Sequence, residues 1–166
     1  MIMKGANFCG VLLMFFLAMG VAVGAEKDAN GETPEAFVKR WVESFNYNNR
    51  TKMLAFYDRA EDLEVLVSLG KRFRGYREWS EILRADVAML RFSGLKAQSL
   101  AVRTLGDTAL ASFEHPFEVR EKKSGKGLFQ AHIRITMTLR KIEGLWSIVL
   151  EHSSPILGIE FRKPLD

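Results

Sequence analysis

His115 and His152 are the residues whose types and placement most invite chemistry. A two-residue turn at Glu143-Gly144 pairs Ile142 with Leu145, in the manner of an Asp-Gly hairpin. Continuing that register sets Leu139 opposite Ile148, Met137 opposite Leu150 and Ile135 opposite His152. One face of the hairpin is then consistently apolar. The other pairs Thr138 with Val149, Thr136 with Glu151 and Arg134 with Ser153. A one-residue slip would mix the two sets, so the pattern argues for this register. A three-residue loop at Ser124-Gly125-Lys126 extends the argument to the preceding strand, setting Phe113 opposite Met137, Ala111 opposite Leu139 and His115 opposite Ile135. His115 and His152 then flank Ile135 on the apolar face, two strand spacings or roughly 10 Å apart. Such a pair can bracket a small molecule, one imidazole as acid and the other as base. It can equally be a pair of hydrogen-bonded core or interface histidines. Pro116, next to His115, also suits a bulge or a sheet edge.

Trp41 and Tyr57 can reach this face from preceding helices. The expected ligand wall is Trp41, Tyr57, His115, Ile135, Met137, Leu150 and His152, an apolar surface with a few convergent polar groups. Tyr57 is a candidate to polarise a carbonyl. An isomerase or cyclase needs a carboxylate inside the pocket, with a pKa tuned by burial. In this register Glu114, Glu118 and Glu151 all fall on the polar face. Asp58, following Tyr57, is then the remaining acid candidate. Catalytic candidates are thus His115, His152, Tyr57 and Asp58. His132 falls on the face opposite the other two histidines, and no His-x-His or Glu-x-x-His spacing is present, so no metal site is expected. Gly125 and Gly127 flank a lysine in a hairpin and form no phosphate loop. Ser153-Ser154 lacks a nucleophile-elbow setting. No cofactor is expected.

The elements that position these residues are legible from periodicity. Thr33-Pro34 reads as an N-cap followed by proline in the first turn. Phe37, Trp41, Val42 and Phe45 then share one helical face to about Tyr47. A short helix follows, with Met53, Leu54 and Tyr57 inward. Leu63 to Leu69 reads as a strand. Tyr76 to about Phe92 reads as a helix with Trp79, Ile82, Leu83, Val87 and Leu90 on one side. Strands are expected at Lys96 to Thr104, Ala109 to Arg120, Leu128 to Lys141 and Leu145 to Ser153. Helices followed by antiparallel strands predict an α+β fold, with helices against one face of a curved sheet.

The chain has 166 residues, net charge +4 and one cysteine. Its first 25 residues read as a signal peptide: Lys4, an apolar run from Val11 to Val23, then Val23-Gly24-Ala25 before a cut at Glu26. The run is short for a membrane span. Cleavage would remove Cys9 and with it all thiol chemistry. The expected product is periplasmic or secreted, without a stable membrane anchor. Residues 26–32 read as a tether, 33–155 as one domain and 156–166 as a C-terminal tail. Basic and acidic residues are interspersed, which argues against a nucleic-acid face.

Several strings resemble the NTF2-like superfamily, in particular its SnoaL-like branch. Phe73-Arg74-Gly75-Tyr76 enters a long helix as the family's turn does. Gly106-Asp107-Thr108-Ala109 is similar to its GD-x-A strand entry. Arg134 to Lys141, Gly144-Leu145-Trp146-Ser147-Ile148-Val149 and His152-Ser153-Ser154 are similar to its last two strands. The resemblance implies a cone of helices wrapped by a strongly curved sheet, an internal pocket and a homodimer formed through the sheet. It implies no single function, since the superfamily holds isomerases, cyclases, dehydratases and binding proteins. Three roles follow as expectations: an exported binder of a small, largely apolar ligand, a cofactor-independent isomerase, cyclase or dehydratase, or a dimeric interaction module with a filled cone.

Overall fold

Thr33 caps the first helix as its sequence suggests: its hydroxyl accepts the Ala36 N–H at 3.2 Å, and Pro34 opens the helix. Helix α1 (Pro34–Asn46) buries Phe37, Val38, Trp41 and Val42. Its end is held by two asparagines. The Asn46 amide pairs with both the N–H and the carbonyl of Leu95, and the Asn48 amide does the same with Phe92. Asn48 adopts φ 51°, a left-handed conformation that asparagine tolerates better than most residues. Helix α2 (Arg50–Leu54) is capped by the Asn49 side chain and buries Met53 and Leu54.

The computed structural model describes residues 31–156 except Leu69, together with the backbone of Glu160–Phe161. The expected signal peptide, residues 1–25, lies outside the described residues, as do most of the tether and most of the tail.

Strands β1 (Glu64–Leu66) and β2 (Arg72–Arg74) form a small antiparallel pair before helix α3 (Gly75–Met89). The predicted last turn of α3 is instead strand β3 (Leu90–Ser93). Its backbone is claimed from two sides, by Glu118–Glu121 of the sheet and, at Phe92, by Asn48. Ile82, expected inside, is 37% exposed. The remaining strands are β4 (Gln98–Leu105), β5 (Thr108–Glu121), β6 (Gly127–Ile142), β7 (Leu145–Pro155) and β8 (Glu160–Phe161). They order as β2-β1-β7-β6-β5-β3, with β4 also on β5 and β8 also on β6. The result is the expected α+β architecture: a few helices packed on a curved, unclosed sheet.

The long strands alternate as half-buried strands should. Ala109, Ala111, Phe113 and His115 of β5 face the helices, as do Ile133, Ile135, Met137 and Leu139 of β6. Two register expectations are corrected. Strand β5 pairs with β6 two residues away from the predicted match, setting Phe113 opposite Ile135 and His115 opposite Ile133. An even shift preserves the faces, so hydrophobic alternation could not detect it. The second error inverts a face. The predicted β6–β7 register holds from Ile142/Leu145 to Leu139/Ile148, then shifts by one between Leu139 and Thr138. Beyond this bulge Thr138 pairs with Leu150, Met137 with Glu151 and Ile135 with Ser153. Burial in β7 follows: Trp146 and Ile148 are buried before the bulge, Glu151 and Ser153 after it. A β-bulge places an extra residue on one strand, so every later side chain changes face.

Candidate functional site

The bulge delivers a carboxylate into the core. Glu151 is 6% exposed, and it was expected on the polar face. Tyr57 reaches it from the segment after α2. Phe56 and Asp58 bracket Ile148 with two backbone hydrogen bonds, Ile148 N–H to the Phe56 carbonyl at 2.8 Å and Asp58 N–H to the Ile148 carbonyl at 2.9 Å. That bridge fixes Tyr57 just before the bulge. Its hydroxyl then donates to Glu151 Oε2 at 2.6 Å, and itself accepts the Trp41 indole N–H at 3.2 Å. This hydrogen-bond chain, from Trp41 to Tyr57 to Glu151, joins α1, the α2 exit and β7.

A second indole closes this group. Trp79 of α3 packs edge-on to Tyr57, with ring centroids 5.5 Å apart. Its Nε1 is close enough to favour ionisation of the Tyr57 hydroxyl, yet it makes no hydrogen bond of acceptable geometry and is buried. It is therefore an unspent donor beside an acidic network, a rarity in folded proteins. Among the described residues, no donor reaches Glu151 Oε1.

Burial decides the titration. Desolvation pushes the Glu151 carboxyl up to about 7, against the opposing pull of the Tyr57 hydrogen bond. Tyr57 is held well above its ordinary range, first by burial and then by the adjacent carboxylate. Glu151 thus exchanges its proton near neutrality, as a general base or acid requires. Tyr57 remains a neutral donor.

His115 also packs against Trp41. It is 2% exposed, with Trp41, Phe113 and Phe117 rings centred 5.9, 5.9 and 5.7 Å away. Its Nδ1 lies 3.2 Å from the Lys96 carbonyl. Desolvation holds its pKa down to about 4 despite that bond. The imidazole is neutral at physiological pH and cannot donate a proton as an ordinary acid there.

Of the other expected wall residues, Ile135 and Met137 are buried in the core. His152 and Leu150 are not on this face: the bulge turns both outward, and His152 is exposed. The expected His115/His152 acid–base pair therefore does not form. Asp58 is held by Arg140 at 2.9 Å, and half-buried ion pairs of this kind add modestly to stability. His132 sits on the outer face with Glu114 (3.3 Å), which Arg134 also approaches (3.9 Å). Among the described residues no three His, Cys, Asp or Glu side chains are grouped to hold a metal ion. No described helix is long and apolar enough to cross a membrane.

The sequence contained one sign of the missed carboxylate. Val149-Leu150 puts two apolar residues side by side, so strict alternation must fail on one side of them. Both are half-buried, as residues at a bulge often are.

A family profile described as "SnoaL-like domain" matches residues 35–158. The chain belongs to this SnoaL-like family. Its SnoaL-like domain has the fold of several solved structures at low identity. A candidate dehydratase of the NTF2-like family from Streptomyces avermitilis is 14% identical, with TM-score 0.65, covering 75% of this chain and 94% of that one. A ketosteroid isomerase-like protein from Erwinia carotovora atroseptica is 18% identical, with TM-score 0.61 and coverage of 75% and 94%. An NTF2-like superfamily protein from Salmonella enterica serovar Typhimurium is 19% identical, with TM-score 0.64 and coverage of 74% and 87%. No functionally curated protein matches the SnoaL-like chain.

Proposed function

We propose that this SnoaL-like domain is a cofactor-independent acid–base catalyst that binds a small, largely apolar molecule inside its cone. Glu151 is the proton-transferring group. The single observation that carries this reading is a buried glutamate, pushed up to about 7, with one oxygen fixed by Tyr57 and the other free of described donors. Tyr57 is a positioning residue, and Trp41 holds Tyr57 in turn. The names of two structural relatives, a candidate dehydratase and a ketosteroid isomerase-like protein, are compatible with this chemistry.

The step is a carbon-to-oxygen proton transfer. Glu151 takes a proton from a carbon next to a carbonyl, and the C–H electron pair moves into the enolate. The developing oxyanion accepts the unspent Trp79 N–H. Return of the proton to a different carbon completes an isomerisation. Protonation of a leaving hydroxyl, with loss of water, completes a dehydration. An apolar, water-poor setting strengthens both interactions.

A substrate-independent test is available. In the elimination of 5-nitrobenzisoxazole a base removes the ring C–H, the N–O bond breaks, and a coloured nitrophenolate forms without any cofactor. The account predicts protein-dependent turnover with a pH limb near 7 that is lost in Glu151→Gln. Equal rates for wild type and Glu151→Gln would overturn the assignment.

We also propose that the protein is exported through residues 1–25 and works as a homodimer joined through the outer sheet face. Leu110 supports the second point, since it stands 44% exposed on that face of β5.

A further inference from the structure

We propose that His115 is a second polar anchor of the cone, a fixed hydrogen-bond acceptor that selects ligands carrying an O–H or N–H donor on an aromatic or otherwise flat apolar body. This rests on the reading of the cone as a ligand site, and specifies what enters it.

A backbone carbonyl can only accept, so the 3.2 Å contact with the Lys96 oxygen assigns the proton to Nδ1. Burial keeps the ring neutral across physiological pH. Nε2 therefore carries a lone pair and no proton. The two ring nitrogens diverge across Cε1, so Nε2 is turned away from the Lys96 edge. Among the described residues no donor serves it. A ligand hydroxyl would give this acceptor a hydrogen bond within an apolar wall.

The surroundings set the shape of the ligand body. Trp41 and Phe113 flank His115, and Phe117 continues the row on β5, with Phe92 and Phe129 centred 6.5 and 6.2 Å from Phe117. Phe92 and Phe117 are only half-buried, so aromatic surface remains exposed in this row. Flat rings gain most against such walls. Trp41 is common to both anchors, since its ring meets His115 and its N–H holds Tyr57. A ligand held at His115 and the Glu151 group thereby share one neighbour, Trp41.

The test uses a matched pair of probes, 2-naphthol and 2-methoxynaphthalene, which share a body but differ in the donor. Binding is followed by quenching of tryptophan fluorescence in wild type, His115→Phe and His152→Ala. We expect 2-naphthol to bind wild type at least about 10-fold more tightly, the discrimination that one buried hydrogen bond provides. The preference should fall to within about 2-fold in His115→Phe and persist in His152→Ala, whose side chain is exposed on the outer face. In ¹⁵N NMR of the wild type, His115 Nδ1 should be the protonated nitrogen, with the Nε2 resonance moving on addition of 2-naphthol. Equal binding of both probes to wild type, or a preference that survives His115→Phe, would overturn the acceptor role while leaving the cone as a binding site. A protonated Nε2 would overturn it without any variant. Failure of both probes to bind at millimolar concentration would count against the ligand site itself, and the His115 inference would fall with it.

Discussion

At Glu151 and His115 burial works against charge, with opposite consequences for pH. Glu151 holds its proton more tightly when folded, about 7 against an ordinary 4.5. Its contribution to stability is therefore full below pH 4.5 and is lost as pH rises through 7, a change of about 3 kcal/mol at most. His115 binds its proton more weakly when folded, about 4 against 6.5. Its contribution is full above pH 6.5 and is lost as pH falls through 4, by a similar amount. Between about pH 4.5 and 6.5 the two slopes oppose each other. Denaturant unfolding at a series of pH values should expose them separately. Glu151→Gln should gain stability with rising pH across this window, and His115→Phe should lose it. Parallel curves for wild type and both variants would contradict the assignments. Tyr57→Phe removes the one bond that lowers the Glu151 pKa, so the pH limb of 5-nitrobenzisoxazole elimination should move upward by about one pH unit. An unmoved limb would separate Tyr57 from the proton-transferring group.

The element that matters most is the bulge in β7. Deleting Val149 and Leu150 together would set Glu151 opposite Thr138 on the outer face and His152 opposite Met137 on the inner one. We expect this deletion to abolish the elimination activity and to cost about 3 kcal/mol or more, since it breaks a buried network and repacks a strand. His152→Ala should change stability by no more than about 0.5 kcal/mol, as an exposed site does. A deletion variant with wild-type activity would show that the bulge does not position the base. The same element marks where sequence reasoning stopped. Periodicity located α1, α2, α3 and the long strands, and turn chemistry located the Glu143-Gly144 hairpin, whose two residues adopt φ 53° and 80°. Register was traceable only while alternation held. One extra residue at the bulge exchanged Glu151 for His152, because face assignment depends on parity. Tyr57 and Trp41 were legible as inward residues, but the hydrogen bonds that join them to Glu151 arise from three distant segments. The ending of α3 was missed for a related reason: the Asn48 clamp on Phe92 is tertiary, and helical periodicity continues past it.

For the whole molecule, the curved sheet divides labour between its faces. The inner face carries the core and the Tyr57–Glu151 pair. The outer face carries Leu110, the Glu114 cluster with His132 and Arg134, and His152. The proposed dimer predicts a two-chain mass by light scattering after size exclusion. Leu110→Lys should then shift the population toward monomer, because it places a charge in an apolar seam. A monomeric wild type at micromolar concentration would contradict it. The proposed export signal predicts a mature N-terminus at Glu26 when the full chain is expressed with its secretion machinery, read by intact mass. A retained Met1 to Ala25 segment would contradict cleavage. These properties are separable from the proposed chemistry, which rests on a single carboxyl group. Its ionisation can be observed directly by ¹³C NMR of glutamate side-chain carboxyls, with Glu151→Gln identifying the resonance. The account predicts that Glu151 titrates at about 7. Titration near the ordinary glutamate value of 4.5 would contradict it.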